Sequence, residues 1–359
     1  MVDIYKKFTP ELYEALYQVE ENQDGMRLDQ YCATFFQSFS RQNIKKKIKD
    51  GDIKILGRPY PHKPSVKVYY KEQVRVQTHK ADHEDEYWNG KKIDLEWTPS
   101  IIYEDDDLVA ISKPAYMATH PTGKHLFNCA TVFLENKYQH TMCSIHRLDR
   151  ETSGVLLLAK NAKTAQVCTD HFEKDLVSKC YFYMAKKKND IKFPILAKER
   201  LGTLDDFIPR NYNHWFAENS DQGKHAETRF IELYQSEDYI LGLAFPKTGR
   251  QHQIRCHAAA HGFPLVGDKL YNGDPGVFMR FKDLVPTKED HDIMELPRHG
   301  LHALALKIAY PSKENPSVFR APLPTDFKEW IQKKLPHVNL KNLEQHIDQE
   351  IKRIFYEKV

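Results

Sequence analysis

The 359-residue sequence contains no apolar run that approaches the length of a membrane-spanning helix, which needs about 20 consecutive apolar residues. Its first residues, MVDI, lack the basic region and following apolar stretch of a secretory signal. The six cysteines include no C-x-x-C pair, and a chain of this length does not depend on disulfides for stability. We therefore expect small core cysteines in a soluble, cytosolic protein that does not associate with membranes.

Glycine-rich cofactor loops are also missing. Neither G-x-G-x-x-G nor G-x-x-x-x-G-K-[ST] occurs, and these are the patterns that bind dinucleotides and nucleotide phosphates. His252 and His257 are five residues apart with no acidic residue nearby, so a helix would place them on different faces, which does not suit metal ligation. The sequence therefore predicts no cofactor and no metal ion.

The net charge of +3 conceals an uneven distribution. Residues 41–75 contain eleven Lys or Arg against three acidic residues, a net of +8, which leaves −5 for the rest of the chain. Positive charge concentrated on one short segment is typical of phosphate contact. The alternative is a solvated, lysine-rich helix face.

The N-terminal part reads as helices followed by short strands. Leu12, Leu16 and Val19 are three or four residues apart, which favours a short appended helix over residues 1–22. A second helix is predicted over residues 41–49, with Ser40 as its N-cap and Ile44 and Ile48 on its buried side. Asp50-Gly51-Asp52 ends this helix, and short strands are predicted around residues 53–55, 66–68 and 74–76.

Residues 25–78 resemble the small RNA-binding domain named after ribosomal protein S-four. The resemblance rests on Arg27-Leu28-Asp29, Ser40-Arg41 and the DGDIKI run at 50–55. It implies contact with structured RNA through Arg27, Ser40, Arg41, Lys45, Lys46 and Lys49. The segment departs from that family at residues 58–64, which are proline-rich where the family has a plainer hairpin.

The most informative stretch is HRLDRETSGVLLLAK at residues 146–160. An apolar strand over residues 155–159 follows a polar loop, which fixes the carboxylate of Asp149 and its basic neighbours against a rigid element. Spacing alone leaves open a surface ion pair between Asp149 and Arg147 or Arg150.

This stretch is similar to the defining motif of the RluA-type pseudouridine synthases. The resemblance implies that Asp149 is the essential carboxylate. It also implies that Arg147 enters the RNA and helps push the target nucleotide out of its stack, with His146 beside it as an RNA contact.

Two further stretches resemble the same family. Lys179-Cys180-Tyr181 is similar to its K-x-Y motif, whose tyrosine lies against the target base, although Tyr183 leaves the register open. The TGRQHQIRCH run at 248–257 is similar to a second motif, which implies that Arg255 pairs with Asp149. We expect a helix from Thr248 to Gly262. Residues 264–271 and 297–303 are expected to belong to the scaffold. Residues 274–296 form an insertion to which the sequence assigns no role.

These features predict an α+β chain with a mixed, mainly antiparallel central sheet flanked by helices. The expected divisions are an N-terminal helical extension (1–24), an S-four-like RNA-binding domain (25–79), a linker (80–95), a pseudouridine synthase domain (96–335) and a C-terminal helix (336–359). The expected function is a monomeric RNA pseudouridine synthase acting on large-subunit ribosomal RNA. The alternatives are a transfer-RNA synthase, a non-catalytic RNA-binding ribosome-assembly factor and a metal-dependent RNA hydrolase.

Overall fold

The structure is a computed structural model that describes residues 2–9, 11–34, 40–79, 86–121, 125, 127–204, 209, 212–311, 313 and 315–356. The chain divides into two compact units, one of residues 1–85 with 120–141 and one of residues 86–119 with 142–359. No helix within these described ranges combines the length and apolar character needed to cross a bilayer.

The first unit is a four-stranded antiparallel sheet with helices. The sheet order is β1-β2-β4-β3. Its strands are β1 (Val2–Phe8), β2 (Leu12–Gln18), β3 (Ile53–Ile55) and β4 (Gln73–His79), and its helices are α1 (Leu28–Ala33), α2 (Arg41–Asp50) and α3 (Ala130–Tyr138).

The predicted N-terminal helix is wrong, because β1 and β2 form an antiparallel hairpin in its place. The spacing of Leu12 and Leu16 suggested a helical period, but burial in β2 follows a period of two through Tyr13, Ala15 and Tyr17. Tyrosine favours strands, and β4 supplies the neighbour against which these side chains pack. Residues 1–24 therefore share one sheet with residues 25–79 instead of forming a separate extension.

Helix α2 has the predicted cap and buried side. The Ser40 hydroxyl accepts a hydrogen bond from the Asn43 amide at 3.2 Å, and Ile44 and Ile48 are fully buried. Gly51 ends the helix in a left-handed conformation with φ of 87°, which a residue without a β-carbon adopts at little cost.

The second unit carries the larger sheet. Its strands are β5 (Tyr87–Trp88), β6 (Lys91–Lys92), β7 (Ser100–Glu104), β8 (Leu108–Lys113), β9 (Cys143–Ser144), β10 (Ser153–Ala159), β11 (Ser178–Lys186), β12 (Ile195–Ala197), β13 (Arg200–Gly202), β14 (His214–Phe216), β15 (Thr228–Gln235), β16 (Tyr239–Pro246), β17 (Leu301–Ile308) and β18 (Ser317–Arg320). Its helices are α4 (Ala162–Glu173), α5 (Gln253–Ala260), α6 (Pro275–Lys282), α7 (Lys288–Met294), α8 (Thr325–Lys334) and α9 (Leu340–Tyr356).

The central sheet has the order β12-β15-β16-β11-β17-β10-β8-β7, with β18 beside β17 and β9 beside β10. Strand β10 runs parallel to β17 and antiparallel to β8. The predicted mixed, mainly antiparallel sheet flanked by helices is therefore confirmed. Helices α8 and α9 pack on one face of β11 through residues such as Phe182 and Phe327, whereas α5 packs on the other face near Tyr183.

The structure defines the secondary structure of three other predicted segments: the linker, the insertion and the C-terminal helix. Residues 86–92 of the predicted linker contain the β5–β6 hairpin, while residues 80–85 lie outside the described ranges. The insertion at 274–296 forms α6 and α7, where Phe281 stacks on Trp88 at a centroid distance of 5.9 Å. The C-terminal helix begins at Leu340 instead of 336 and buries Leu343, Ile347, Ile351 and Phe355.

Candidate active site

The loop between β9 and β10 carries Asp149, and several hydrogen bonds connect this loop to neighbouring segments. Leu148 exchanges two of them with the Thr119 hydroxyl, at 3.2 and 3.3 Å. The fully buried Lys113 donates to the Arg150 carbonyl at 3.2 Å. Because this loop is tied to neighbouring elements, the position of the carboxylate is fixed before any substrate arrives.

The carboxylate of Glu151 extends this anchoring. It accepts a hydrogen bond from the Lys269 ammonium at 2.8 Å and lies 3.4 Å from the His299 ring. Burial opposes its ionisation, but Lys269 and His299 hold the pKa of Glu151 well below its usual range. The other ring nitrogen of His299 lies 2.7 Å from the Thr152 hydroxyl, so the loop is connected to the segment that leads into β17.

Helix α5 starts later than predicted. His252 has a left-handed conformation with φ of 55°, which ends the preceding turn and places the first helical residue at Gln253. The Gln253 side chain accepts hydrogen bonds from the Thr248 hydroxyl at 2.7 Å and the Arg250 amide at 2.9 Å. Residues 248–251 therefore form a closed turn that presents His252 and Arg255 towards Asp149.

Arg255 bridges two carboxylates. Its Nη1 donates to Asp149 Oδ2 at 3.1 Å, and its Nε and Nη2 donate to the two oxygens of Asp268 at 2.7 and 2.8 Å. Asp268 is fully buried, whereas the Asp149 side chain remains 27% exposed. The bidentate bond to Asp268 fixes the guanidinium, and the fixed guanidinium fixes Asp149.

Asp149 is ionised at neutral pH. Burial alone would raise its pKa, but in acid the charges of protonated His252 and of Arg255 outweigh burial, and the pKa of Asp149 falls to about 2. Burial lowers the pKa of His252 itself to about 4, and Arg255 lowers it further in the same direction. His252 is therefore neutral at neutral pH, and Arg255 is the positive charge that keeps Asp149 ionised.

An open basin of about 210 Å³ surrounds these groups, which leaves room for a group much larger than a water molecule, for which about 15 Å³ is enough. Tyr181 lines the basin. Tyr183 lies on the same side of β11 but is fully buried against Phe230 and Phe263. The structure therefore places Tyr181, and not Tyr183, beside Asp149.

Lys179 also lines the basin, at the edge formed by the turn before α5. Its ammonium donates to the carbonyls of Lys247 and Thr248, both at 3.1 Å. Burial lowers the pKa of Lys179 to about 8. The K-x-Y segment thus contributes one side chain that holds the turn and one, Tyr181, that faces the open space.

The two basic residues before Leu148 have different environments. Arg147 is exposed and lines the basin. The His146 ring accepts a hydrogen bond from the Leu157 amide at 3.1 Å and stacks on Phe172 at 4.7 Å. Because this ring is used to join the loop to β10 and α4, the structure favours a structural role for His146 over the predicted RNA contact.

In the first unit, α2 presents the predicted basic side chains to solvent. Arg41, Lys45, Lys46 and Lys49 are exposed. The Ser40 hydroxyl is occupied as the helix cap. Arg27 donates to the Asp29 carboxylate at 3.0 and 2.8 Å, which neutralises part of its charge. The exposed side chains of α2 are therefore the better placed of the predicted contacts.

Two members of the site were missed by sequence reasoning. Asp268 lies in a segment expected to be scaffold, and His252, for which metal ligation was rejected, had no predicted role, although its Nε2 lies 3.8 Å from Asp149 Oδ2. The signal for Asp268 is weak: it lies between Gly267 and Lys269 in the mostly apolar run PLVGDKLY at 264–271. A charged residue among apolar neighbours is rarely buried without a partner of opposite charge.

A family model described as RNA pseudouridylate synthase matches residues 107–260. The matched segment contains Asp149, Tyr181 and Arg255, three of the groups that meet at the basin. The matched segment indicates an RNA-modifying isomerase.

Similar proteins of known name identify the family within this class. A relative from Vibrio cholerae, named Ribosomal large subunit pseudouridine synthase D, is 30% identical over 322 residues, which are 87% of this chain and 92% of the relative. A relative of the same name from Borreliella burgdorferi is 29% identical over 285 residues, which are 76% of this chain and 80% of that one. The chain belongs to the RNA pseudouridine synthases, and within them to the RluA type.

A solved structure shares the fold. The structure of human RNA pseudouridylate synthase domain containing 1 has a TM-score of 0.50 and 22% identity, and the match covers 63% of this chain and 84% of that one. The predicted family and enzyme class are confirmed.

Proposed function

We propose that Asp149 is the essential carboxylate of this pseudouridine synthase and that Arg255 keeps it ionised and oriented. The observation that carries the proposal is the 3.1 Å ion pair between Arg255 and Asp149 at an open basin. The bidentate contact of Arg255 with Asp268 supports it, because it leaves the guanidinium little freedom to turn away.

The reaction needs few groups. In uridine a carbon–nitrogen bond joins base and ribose, and in pseudouridine carbon 5 of the same ring takes that place. The bond to nitrogen breaks, the base turns while it is held, and the bond to carbon 5 forms; carbon 5 then loses its proton and the freed nitrogen gains one, with no net oxidation and no group added. Asp149 can attack the ribose, attack the ring, or stabilise the charge that develops during elimination from the sugar. All three routes require the ionised form of Asp149, which its low pKa provides.

The target base must leave its helix before it can reach the basin. Unstacking a base costs a few kcal/mol. We infer that Tyr181 offsets part of this cost by contact with the extruded base, and that the exposed Arg147 occupies the space that the base vacates. Burial raises the pKa of Tyr181, and Asp149 raises it further, so the tyrosine meets the base as a neutral phenol.

The substrate that we propose is large-subunit ribosomal RNA. Support comes from the relatives of Vibrio cholerae and Borreliella burgdorferi, whose names specify the ribosomal large subunit. We further propose that residues 25–79 are an S-four-like RNA-binding domain whose α2 contributes phosphate contacts through Arg41, Lys45, Lys46 and Lys49. Such contacts add affinity and orientation without base choice.

Asp149→Asn tests the catalytic proposal. We expect the variant to fold and to bind RNA as the wild type does, because Asp268 still holds Arg255, and to form no pseudouridine. Turnover is measured by nucleoside analysis of digested RNA, and binding by fluorescence anisotropy. Glu173→Gln, a change on the exposed side of α4, is the matched control. Residual turnover of Asp149→Asn in a preparation free of wild-type enzyme would remove Asp149 from its proposed role.

Maps of pseudouridine in total RNA, with and without the protein, test the substrate. Loss of sites confined to large-subunit ribosomal RNA supports the proposal, and loss confined to transfer RNA contradicts it.

The double variant Lys45→Gln, Lys49→Gln tests the role of α2. It should bind RNA more weakly than the wild type, and its affinity should depend less steeply on salt, because fewer counterions are released. Equal salt slopes for variant and wild type would argue against phosphate contacts by α2.

A further inference from the structure

The segment between β3 and β4, residues 56–72, has an unusual composition. We call it the tyrosine loop. From Lys54 to Lys71 the sequence contains five Lys or Arg and no Asp or Glu. Three tyrosines in the same stretch are exposed, namely Tyr60 at 44% and Tyr69 and Tyr70 at 48% each. Three partly exposed rings in one short basic loop form a local aromatic surface that a partner could cover.

Each exposed ring lies next to a cation. The ammonium of Lys54 is 4.7 Å from the centroid of Tyr60. The guanidinium of Arg58 is 5.1 Å from the centroid of Tyr69. Lys71 is 5.2 Å from that of Tyr70. A half-exposed ring with an adjacent positive charge suits a nucleotide, whose base stacks and whose phosphate is negative.

The loop is anchored to the rest of its unit. His62 is buried, and its ring accepts a hydrogen bond from the Ile55 amide at 3.1 Å. Burial lowers the pKa of His62, so the neutral ring that accepts this bond persists at physiological pH. Backbone bonds from Leu28 to Val66 at 2.7 Å and from Val68 to Met26 at 2.9 Å join the loop to the start of α1. A ring on an anchored loop loses little conformational freedom when a base stacks on it.

The acidic groups near the loop are already engaged. Glu72 accepts hydrogen bonds from Arg58 at 2.7 Å and from the Tyr69 amide at 2.8 Å. Asp24 accepts from the Tyr70 amide at 2.7 Å. These carboxylates orient the loop and offset part of its charge, while Lys63, Lys67 and Lys71 remain exposed.

The loop also adjoins α2. The Tyr60 hydroxyl donates to the carbonyl of Lys49, one of the four residues that we propose as phosphate contacts. A nucleic acid strand that reached the exposed face of α2 would therefore have Tyr60 within its immediate reach.

We propose that the tyrosine loop binds a single-stranded segment of the RNA by stacking bases on Tyr60, Tyr69 and Tyr70. The double-helical part of the substrate then lies on α2, and the loop selects RNA in which a duplex continues into an unpaired strand. This inference rests on the proposed RNA-binding role of the first unit, but it concerns a different surface and a different physical interaction. Stacking releases no counterions, whereas phosphate contact does.

The difference in salt dependence gives the test. Tyr69→Leu with Tyr70→Leu, and separately Tyr60→Leu, are made in the full chain. The probe is a fluorescent oligoadenylate of about twelve nucleotides, which contains no uridine and cannot serve as substrate. We expect affinity to fall about tenfold for each stacking tyrosine removed, with an unchanged slope of log Kd against log salt. Affinity for an RNA duplex of the same length should stay within about twofold.

Tyr356→Leu is the matched control, because Tyr356 is 64% exposed and has Lys307 4.4 Å from its ring. Oligoadenylate affinity equal to that of the wild type in all the loop variants would overturn the inference. So would an equal loss for duplex and single strand, or an equal loss in Tyr356→Leu. These results are separable from the catalytic proposal, because Asp149→Asn is expected to bind oligoadenylate normally whether or not the loop does so.

Discussion

Replacing Arg255 by Gln should destabilise the second unit in a way that depends on pH. In the wild type the guanidinium pairs with both Asp149 and the fully buried Asp268. Gln can donate a hydrogen bond but carries no charge, so Asp268 would be left as a buried carboxylate without a counterion. Removing one partner of a buried pair costs about 3–5 kcal/mol, and we expect a loss of this size at pH 8.

The direction of the pH dependence follows from the two pKa shifts. In the wild type, burial would raise the pKa of Asp268, but Arg255 lowers it below its ordinary value. The pKa of Asp149 is also lowered, to about 2. The stability contributed by these groups is present above about pH 4 and is lost only in stronger acid, so it is constant between pH 5 and pH 8.

In Arg255→Gln the main group that opposes burial is gone, and burial raises the pKa of Asp268 above its unfolded value. The folded state then holds a proton that the unfolded state releases. The variant should be more stable at pH 5 than at pH 8, relative to wild type, by about 1.4 kcal/mol for each pH unit over which only the folded state holds the proton.

Urea unfolding followed by tryptophan fluorescence measures this effect. All four tryptophans, at positions 88, 97, 215 and 330, belong to the second unit, so the signal reports on the unit that holds the site. Arg255→Gln combined with Asp268→Asn is the matched control, since it removes both charges and should recover most of the loss. A pH-independent loss in the single variant, or no recovery in the double variant, would refute the electrostatic account.

Two further outcomes are expected. Gly154→Ala should cost about 3 kcal/mol or more, because φ at Gly154 is +113° and an added β-carbon would lie 2.1 Å from the Ala303 carbonyl oxygen. Gly249→Ala, where nothing lies within 4 Å of such a carbon, should keep the wild-type melting temperature, and a similar fall in both variants would contradict the steric reasoning. The single-turnover rate of pseudouridine formation should be constant between about pH 5 and pH 7, since Asp149 and His252 have pKa values of about 2 and about 4. A rise in rate through pH 6–7 would show that another titrating group controls the reaction.

Patterns with a strong local cause were predictable from the sequence. Helices α2 and α9 bury apolar residues that are four apart, α2 also has its cap at Ser40, and β10 contains an unbroken apolar run. The N-terminal hairpin was not predictable in the same way, because Leu12 and Leu16 fit a helical period and only the pairing of β2 with β4 selects the strand.

The residues of the site that lie in sequence motifs were predictable, whereas the contacts between distant segments were not. Motif resemblance pointed to Asp149 and Arg255, which lie 106 residues apart in sequence. It could not choose between Tyr181 and Tyr183, which share one face of β11. Only the structure shows that Tyr183 is fully buried and that Tyr181 lines the basin. Nor could motif resemblance show that Asp268 holds Arg255, because that contact depends on how the segment after α5 turns back.

The parallel seam between β10 and β17 has a consequence for synthesis of the chain. Thr152 meets His299 across 147 residues and Ser153 meets His302 across 149, so the segment that anchors the acid-bearing loop is translated long after the loop itself. A ribosome-bound chain that ends before residue 297 contains Asp149 and Arg255 but lacks β17 and the two histidines that contact the loop. The acid-bearing loop therefore acquires these two anchors only after residues 299–302 have been synthesised and β17 has paired with β10.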